Sequence, residues 1–459
     1  MRVSVLAAAF LIGASSFALA QDQEVIPPRT VYWMDMSTQS GMTGGMAAVR
    51  AMMGGGGSSS TMLTLEIGSQ DAPTRGAVSA THTVPRGARV GPELRLTANR
   101  EERGQQGSTQ HGPQQPRGRL FLFFGCGERA PRGQPVIIDF ARVAAGEMPQ
   151  GLESRVRAAR TPNSPGERGW PSVAHGPRNR TGAPEVIPAG GSVVGDHLVR
   201  SPMASDIRFS LTADHDVMAP VSFTTNAPNP SGSVNLVWNS VPRTTGYALA
   251  AMGQGETEGD MVYWTASGVR TWDANIFEFL PPSEAARLVR ERVLLAPNTT
   301  TCTVPQEVAS MLGVGGGGGQ QRMGMVFLTA FGPEANFVDP PRPSDPQTPW
   351  RQISAVKVRM NSTAIDMLGQ SMAAMARGVE PGARDPLAET APPAGMSQED
   401  WCRERAEARR QRAQQSAGSA VGGAVGSMTG IPGGGMVGSA VGGLFGRRNQ
   451  PEDPHCPAG

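Results

Sequence analysis

Over much of the chain the apolar residues come in short runs, set between Gly, Pro or polar clusters. Residues 30–34, 61–67, 94–98, 120–124, 136–140 and 207–211 are of this kind, either alternating or continuously apolar. Runs of that length and punctuation predict β-strands. Only 152–159 has a helical character among them. The polar stretches 99–119 and 160–190 are rich in Gly, Pro and Arg, and 42–60 is dense in Gly, Met and Ser; all three are expected to be loops. Residues 21–222 are therefore expected to form a mostly-β domain with long loops.

Beyond 222 the alternation is cleaner. Ser233-Val234-Asn235-Leu236-Val237-Trp238 reads as a strand, and further strands are expected at 221–224, 261–265, 300–304, 325–330 and 353–360. A helix is expected at 284–294, after Pro281-Pro282 with Ser283 as its N-cap, and a shorter one at 305–312. The five glycines 315–319 read as a linker. Trp238 leads through a turn containing Pro242 to a second strand that carries Tyr247. This segment resembles the start of a fibronectin type III module, in which a core Trp and a core Tyr hold those two places. The resemblance covers about 223–362 and implies a β-sandwich of about seven strands. An unrelated β-sandwich is the other reading.

From Asn361 the period changes. Ile365, Leu368, Met372 and Met375 recur every three or four residues, which predicts a helix that Gly378 closes. A Pro-rich linker follows, so 363–395 is expected to be a short helix and a tether. Ser397 with Asp400 then resembles a capping box, opening a polar, Arg-rich helix over 399–415.

The most regular pattern lies near the C-terminus. Gly418, Gly422, Gly426, Gly430, Gly434, Gly438, Gly442 and Gly446 stand at a strict spacing of four, and 413–446 holds no charged side chain. On a helix these glycines would share one face and let a second backbone approach closely. In water each would cost a helix up to about 1 kcal/mol relative to Ala. Pro432 and Gly433–Gly435 break the ladder near its middle, which predicts two helices joined by a turn. The segment resembles the glycine-zipper two-helix element of Gram-negative envelope proteins. That resemblance implies a membrane surface or a second copy of the chain as the partner of 413–448. Each arm, about 15–22 Å long, is too short to cross a hydrocarbon core of about 30 Å. Arginines flank the ladder on both sides, which suits an anionic surface. A flexible Gly-rich tail is the alternative. The fold class expected for the whole chain is mainly β: two β-sandwich-like domains with long loops, then a C-terminal α-helical glycine-zipper hairpin within 396–459.

Composition adds a compartment. Met1-Arg2, an apolar run, and Ala18-Leu19-Ala20 before Gln21 have the three parts of a secretory signal, so 1–20 is expected to be removed and the protein to be periplasmic or envelope-associated. Four cysteines in an exported chain predict disulfides. Cys402 precedes the glycine ladder and Cys456 follows it, and an antiparallel hairpin would bring them together. A formal net charge of +2 favours no nucleic acid partner. The basic residues are arginines except for Lys357.

Candidate chemistry is sparse. Asp214-His215-Asp216 is the best acid–base or metal-binding cluster, although neighbours on a strand point to opposite faces. Cys126, between two glycines, could sit on a tight turn as a nucleophile, but no base is evident for it and a structural disulfide is the other reading. His82, His111, His175, His197 and His455 have no ligand spacing. No cofactor is expected. Two functions follow: a structural or interaction protein of the envelope, tethered or self-associating through its glycine zipper, or an exported hydrolase with its site in the first β domain.

Overall fold

The computed structural model describes residues 23–41, 59–72, 78–98, 118–145, 147, 152, 154–156, 164–166, 168–176, 185–271, 276–314, 324–370, 397–407 and 456. The expected signal peptide and the glycine ladder lie outside them. The protein is mainly β, and most of its strands belong to one large mixed sheet.

The middle of that sheet is formed by its longest strands. β2 (Thr30–Gly41), β17 (Met325–Asp339) and β19 (Ser354–Met367) alternate between an apolar face and a polar one. β19 lies between the other two, antiparallel to β17 and parallel to β2, with register pairs from Ser354↔Thr30 to Ile365↔Gly41. On the far side of β17 come β14 (Gly246–Gln254), β15 (Met261–Thr265), β6 (Arg119–Phe124) and β7 (Val136–Asp139). On the far side of β2 come β3 (Ser60–Ser69), β8 (Ser172–His175), β5 (Glu93–Ala98), β4 (Ser79–Thr83), β10 (Gly195–Ser201) and β11 (Ala204–Leu211), while β9 (Glu185–Ile187) also pairs with β3. A separate three-stranded sheet has the order β12 (Phe223–Pro228), β13 (Val234–Trp238), β16 (Thr301–Val304). The short parallel pair β1 (Val25–Ile26) and β18 (Trp350–Arg351) completes the strands among the described residues.

One apolar cluster runs between these layers. It takes Tyr32, Met34 and Met36 from β2, Val356, Val358 and Met360 from β19, Val234, Leu236 and Trp238 from β13, and Tyr247 from β14. Parallel neighbours need long connections. The two parallel joins in the large sheet, β2 to β19 and β15 to β6, link strands that are far apart in the chain. Strands from 21–222 and from 223–362 thus share one hydrogen-bonded ladder, where two separate β-sandwiches were expected.

Several local expectations need correction. The 160–190 stretch, expected to be a loop, supplies β8 and β9, because β3 offers its edge to both. The helix expected from Asn361 is strand as far as Met367: Ile365 pairs with Phe327 on one side and Gly41 on the other, and these ladders override the three-to-four spacing. Met372, Met375 and Gly378 lie outside the described residues. Of the expected helix at 152–159, Leu152 and residues 154–156 are described and are not helical. The 136–140 run ends as strand at Asp139, whose carboxylate accepts from the Ala141 and Arg142 N–H groups and so caps α1 (Phe140–Ala144). α2 (Pro282–Arg290) is shorter than expected and is capped by Pro281; Ser283 is not the cap. Pro282, at the first helical position, has no N–H to leave unsatisfied. α3 (Gln306–Met311) lies where the sequence puts it. Residues 398–407 are helical, with the Asp400 N–H donating to Ser397 Oγ (3.1 Å) and the Ser397 hydroxyl donating to Asp400 Oδ2 (2.6 Å).

Candidate functional site

All four cysteines are consumed in disulfides, Cys126–Cys302 and Cys402–Cys456, with Cα separations of 5.4 and 5.5 Å. Cys126 is therefore no nucleophile in this state. It follows Gly125, whose φ of +91° makes the turn at the end of β6. The bond fastens that end of the large sheet to β16 of the small one.

Asp214, His215 and Asp216 share a 3₁₀ turn and the bend after it. Asp216 is occupied structurally: Oδ2 accepts from Ser192 Oγ (2.7 Å), and Oδ1 accepts from the Val193 and Val217 N–H groups (both 2.8 Å). The His215 ring faces Thr212 Oγ1 at 3.4 Å. Arg243 clamps the backbone of the turn, donating to the carbonyls of Asp214, Asp216 and Val217 at 2.8–2.9 Å. The substitutions should therefore separate. Asp216→Ala is expected to lower stability by about 2 kcal/mol, through loss of hydrogen bonds to a charged acceptor. Asp214→Ala and His215→Ala are expected to stay within about 0.5 kcal/mol of the parent. Urea denaturation of the three variants checks the order; a cost for His215→Ala equal to that for Asp216→Ala would overturn it.

Two buried polar groupings are more conspicuous. On the face of β2 and β19 that points away from the apolar cluster, Arg359 donates to both carboxylate oxygens of Asp35, at 2.7 and 2.6 Å. Its guanidinium lies 4.3 Å from the Trp33 ring centre and 4.7 Å from that of Phe279. Two registers away, Lys357 meets Glu334 at 2.6 Å. The chain's only lysine is thus half of a sheltered ion pair. With charge pairs on one face and hydrocarbon on the other, the middle of the sheet is covered on both sides.

The second grouping is a hydrogen-bonded chain through Tyr32, His82 and His197, all at most 1% exposed. Tyr32 Oη lies 2.7 Å from His82 Nδ1, His82 Nε2 lies 2.9 Å from His197 Nδ1, and His197 Nε2 lies 2.8 Å from the Val193 carbonyl. Phe209 of β11 stacks on His197, with ring centres 4.7 Å apart and 6° between the planes. A carbonyl can only accept, so His197 carries its hydrogen on Nε2. Its Nδ1 then accepts from His82 Nε2–H, and His82 Nδ1 accepts from the Tyr32 hydroxyl. Burial pushes the His82 imidazolium well below the ordinary histidine range, helped by His197 and His175. Burial lowers His197 too, against the opposing effect of its bond to Val193. The Tyr32 phenol is raised well above its usual value, by burial and then by Asp35. Sequence spacing missed this chain because 115 residues separate the two histidines. A weaker signal was present: His82 alternates in phase with Ala80 and Val84, and His197 with Val199, all of them buried.

An open groove of about 560 Å³ lies beside Cys126, lined by Phe124, Ala266, Leu294, Arg270 and Arg292 among others. Polar groups in its wall bond within the protein: Gln134 pairs with the Phe124 backbone, and Ser267 Oγ donates to the Val269 carbonyl. Among the described residues, no group of three or more His, Cys, Asp or Glu side chains is placed to hold a metal ion. No helix among them is long and apolar enough to cross a membrane. No protein-family model and no curated protein matches the chain.

Proposed function

We propose that the chain is an exported structural or interaction protein of the cell envelope, tethered to a membrane surface or to a second copy of itself through 413–448. The observation that carries this reading is the cysteine pairing. Both disulfides suit an oxidising compartment outside the cytoplasm, and one of them brackets the glycine ladder. Residues 223–362 are, in this reading, a fibronectin type III-like sandwich. Its two sheets are β12–β13–β16 and the β15–β14–β17–β19 portion of the large sheet. Trp238 meets Tyr247 edge-on between them, with ring centres 5.7 Å apart. The large-sheet layer is extended at both edges, by β2 and by β6, which protects strands that would otherwise be open to non-specific pairing.

Deletion of 413–448 tests the tether while keeping Trp401 and both C-terminal cysteines. The full chain is expected in the membrane fraction or as an oligomer, and the deleted chain as a soluble monomer. Identical partition and identical size for the two proteins would overturn the proposal.

A further inference from the structure

We infer that the Tyr32–His82–His197 chain is an acid-sensitive joint that holds β4, β10 and β11 against β2. The chain has three bonds and three hydrogens to fill them: the Tyr32 hydroxyl, His82 Nε2–H and His197 Nε2–H. The terminal carbonyl of Val193 fixes the direction of all three. A fourth proton has no free acceptor along the chain. Placed on His197 Nδ1, it opposes the His82 Nε2–H. Placed on His82 Nδ1, it reverses the Tyr32 bond and leaves the phenol hydrogen without its acceptor. Either way a positive charge sits against Phe209 and the apolar cluster. A buried unpaired charge is costly enough that the surrounding layer opens first.

The neighbouring charges do not relieve it. Asp35 of β2 is held by Arg359 on the opposite face. His175 of β8 opposes a charge on His82 and is bound to the Arg95 carbonyl and to Glu185. Asp196 of β10 favours the charged form of His197 without reversing the effect of burial. Asp216 is spent on Ser192 and Val193. From β11 the group in ring contact is Phe209, which packs in turn on Phe337 of β17, and neither carries a charge.

The sign follows from linkage. Both histidines are harder to protonate in the folded protein than in the unfolded chain, where the ordinary value is about 6.5. Their contribution is complete above about pH 6.5 and is lost as pH falls below it. Each neutral buried histidine raises the opening equilibrium about tenfold per pH unit in that range.

Hydrogen exchange on the full oxidised protein at pH 5 and 7.5, corrected for intrinsic rates, reads this directly. Peptides from β4, β10 and β11 are expected to lose at least tenfold in protection at pH 5, while those from β14 and β17 change little. His82→Gln/His197→Gln, which keeps donors and acceptors but cannot titrate, is expected to flatten that dependence. Unchanged protection in the parent, or the same loss in the double variant, would overturn the inference. If the double variant does not fold, ¹⁵N spectra of the parent decide. Neutral Nε2–H imidazoles at pH 6, below the ordinary histidine value, support the joint. A protonated His82 or His197 with β4 and β10 still protected overturns it.

Discussion

Removing the Cys126–Cys302 bond is expected to cost the fold about 5 kcal/mol in the chain-entropy model, because the bond closes a loop with a sequence separation of 176. Cys302 is buried on β16 and Cys126 is exposed, so Cys126→Ser with Cys302→Ala avoids putting a hydroxyl in the core. Part of the junction remains without the disulfide. The Gly127 N–H donates to the Thr303 carbonyl (2.8 Å), the Gln306 N–H to the Glu128 carbonyl (3.0 Å), and the Ala130 N–H to Glu307 Oε2 (2.9 Å). These bonds keep the loop's native position accessible, so the effect should fall mainly on the unfolded chain. Denaturation with and without reductant measures it. The parent is expected to lose stability on reduction towards the level of the variant. A variant within about 1 kcal/mol of the oxidised parent would show that the unfolded ensemble is already restricted there.

How far the sequence exposes this architecture depends on where each strand finds its partner. β15 and α3 lie almost exclusively among locally patterned residues, and their bounds follow from alternation and from Pro305. β2 is different. Its apolar run ends at Met34, and Asp35, Ser37 and Gln39 then look like the start of a loop. They remain in strand because Arg359, Asn361 and Thr363, more than 300 residues away, stand opposite them in the β19 register. A strand whose polar face is sheltered by ion pairs gives no hydrophobic signal on that face. The same limit hid the histidine chain, whose members belong to three strands. It also hid the continuity of the large sheet, since neither parallel join involves sequence neighbours. Cys402 and Cys456 were within reach of the sequence because both flank one regular pattern, although the pattern itself lies outside the described residues.

Trp238→Ala is expected to cost about 3–5 kcal/mol, the usual range for emptying a buried aromatic site. Trp238 is 2% exposed and lies in the main apolar cluster with Leu236 and Val241. Its ring meets Tyr247 at 64° between planes, an edge-on pairing worth about 0.5–1.5 kcal/mol beyond burial. Tyr247 is held in turn, its hydroxyl accepting from the Val241 N–H at 3.2 Å. Truncating Trp238 therefore leaves a cavity and also loosens the ring that anchors the turn between β13 and β14. The indole N–H adds a sharper test. Among the described residues it has no hydrogen-bond acceptor, so it is buried at a cost. Trp238→Phe removes that donor and keeps most of the packing, and its penalty should stay below about 1.5 kcal/mol. Urea denaturation followed by far-UV circular dichroism separates the two, because the chain's other six tryptophans would confuse a fluorescence readout. A small loss for Trp238→Ala would place the ring outside the core. Equal losses for Ala and Phe would mean that the indole N–H has a partner and that its hydrogen bond, as much as the ring's bulk, holds the two sheets together.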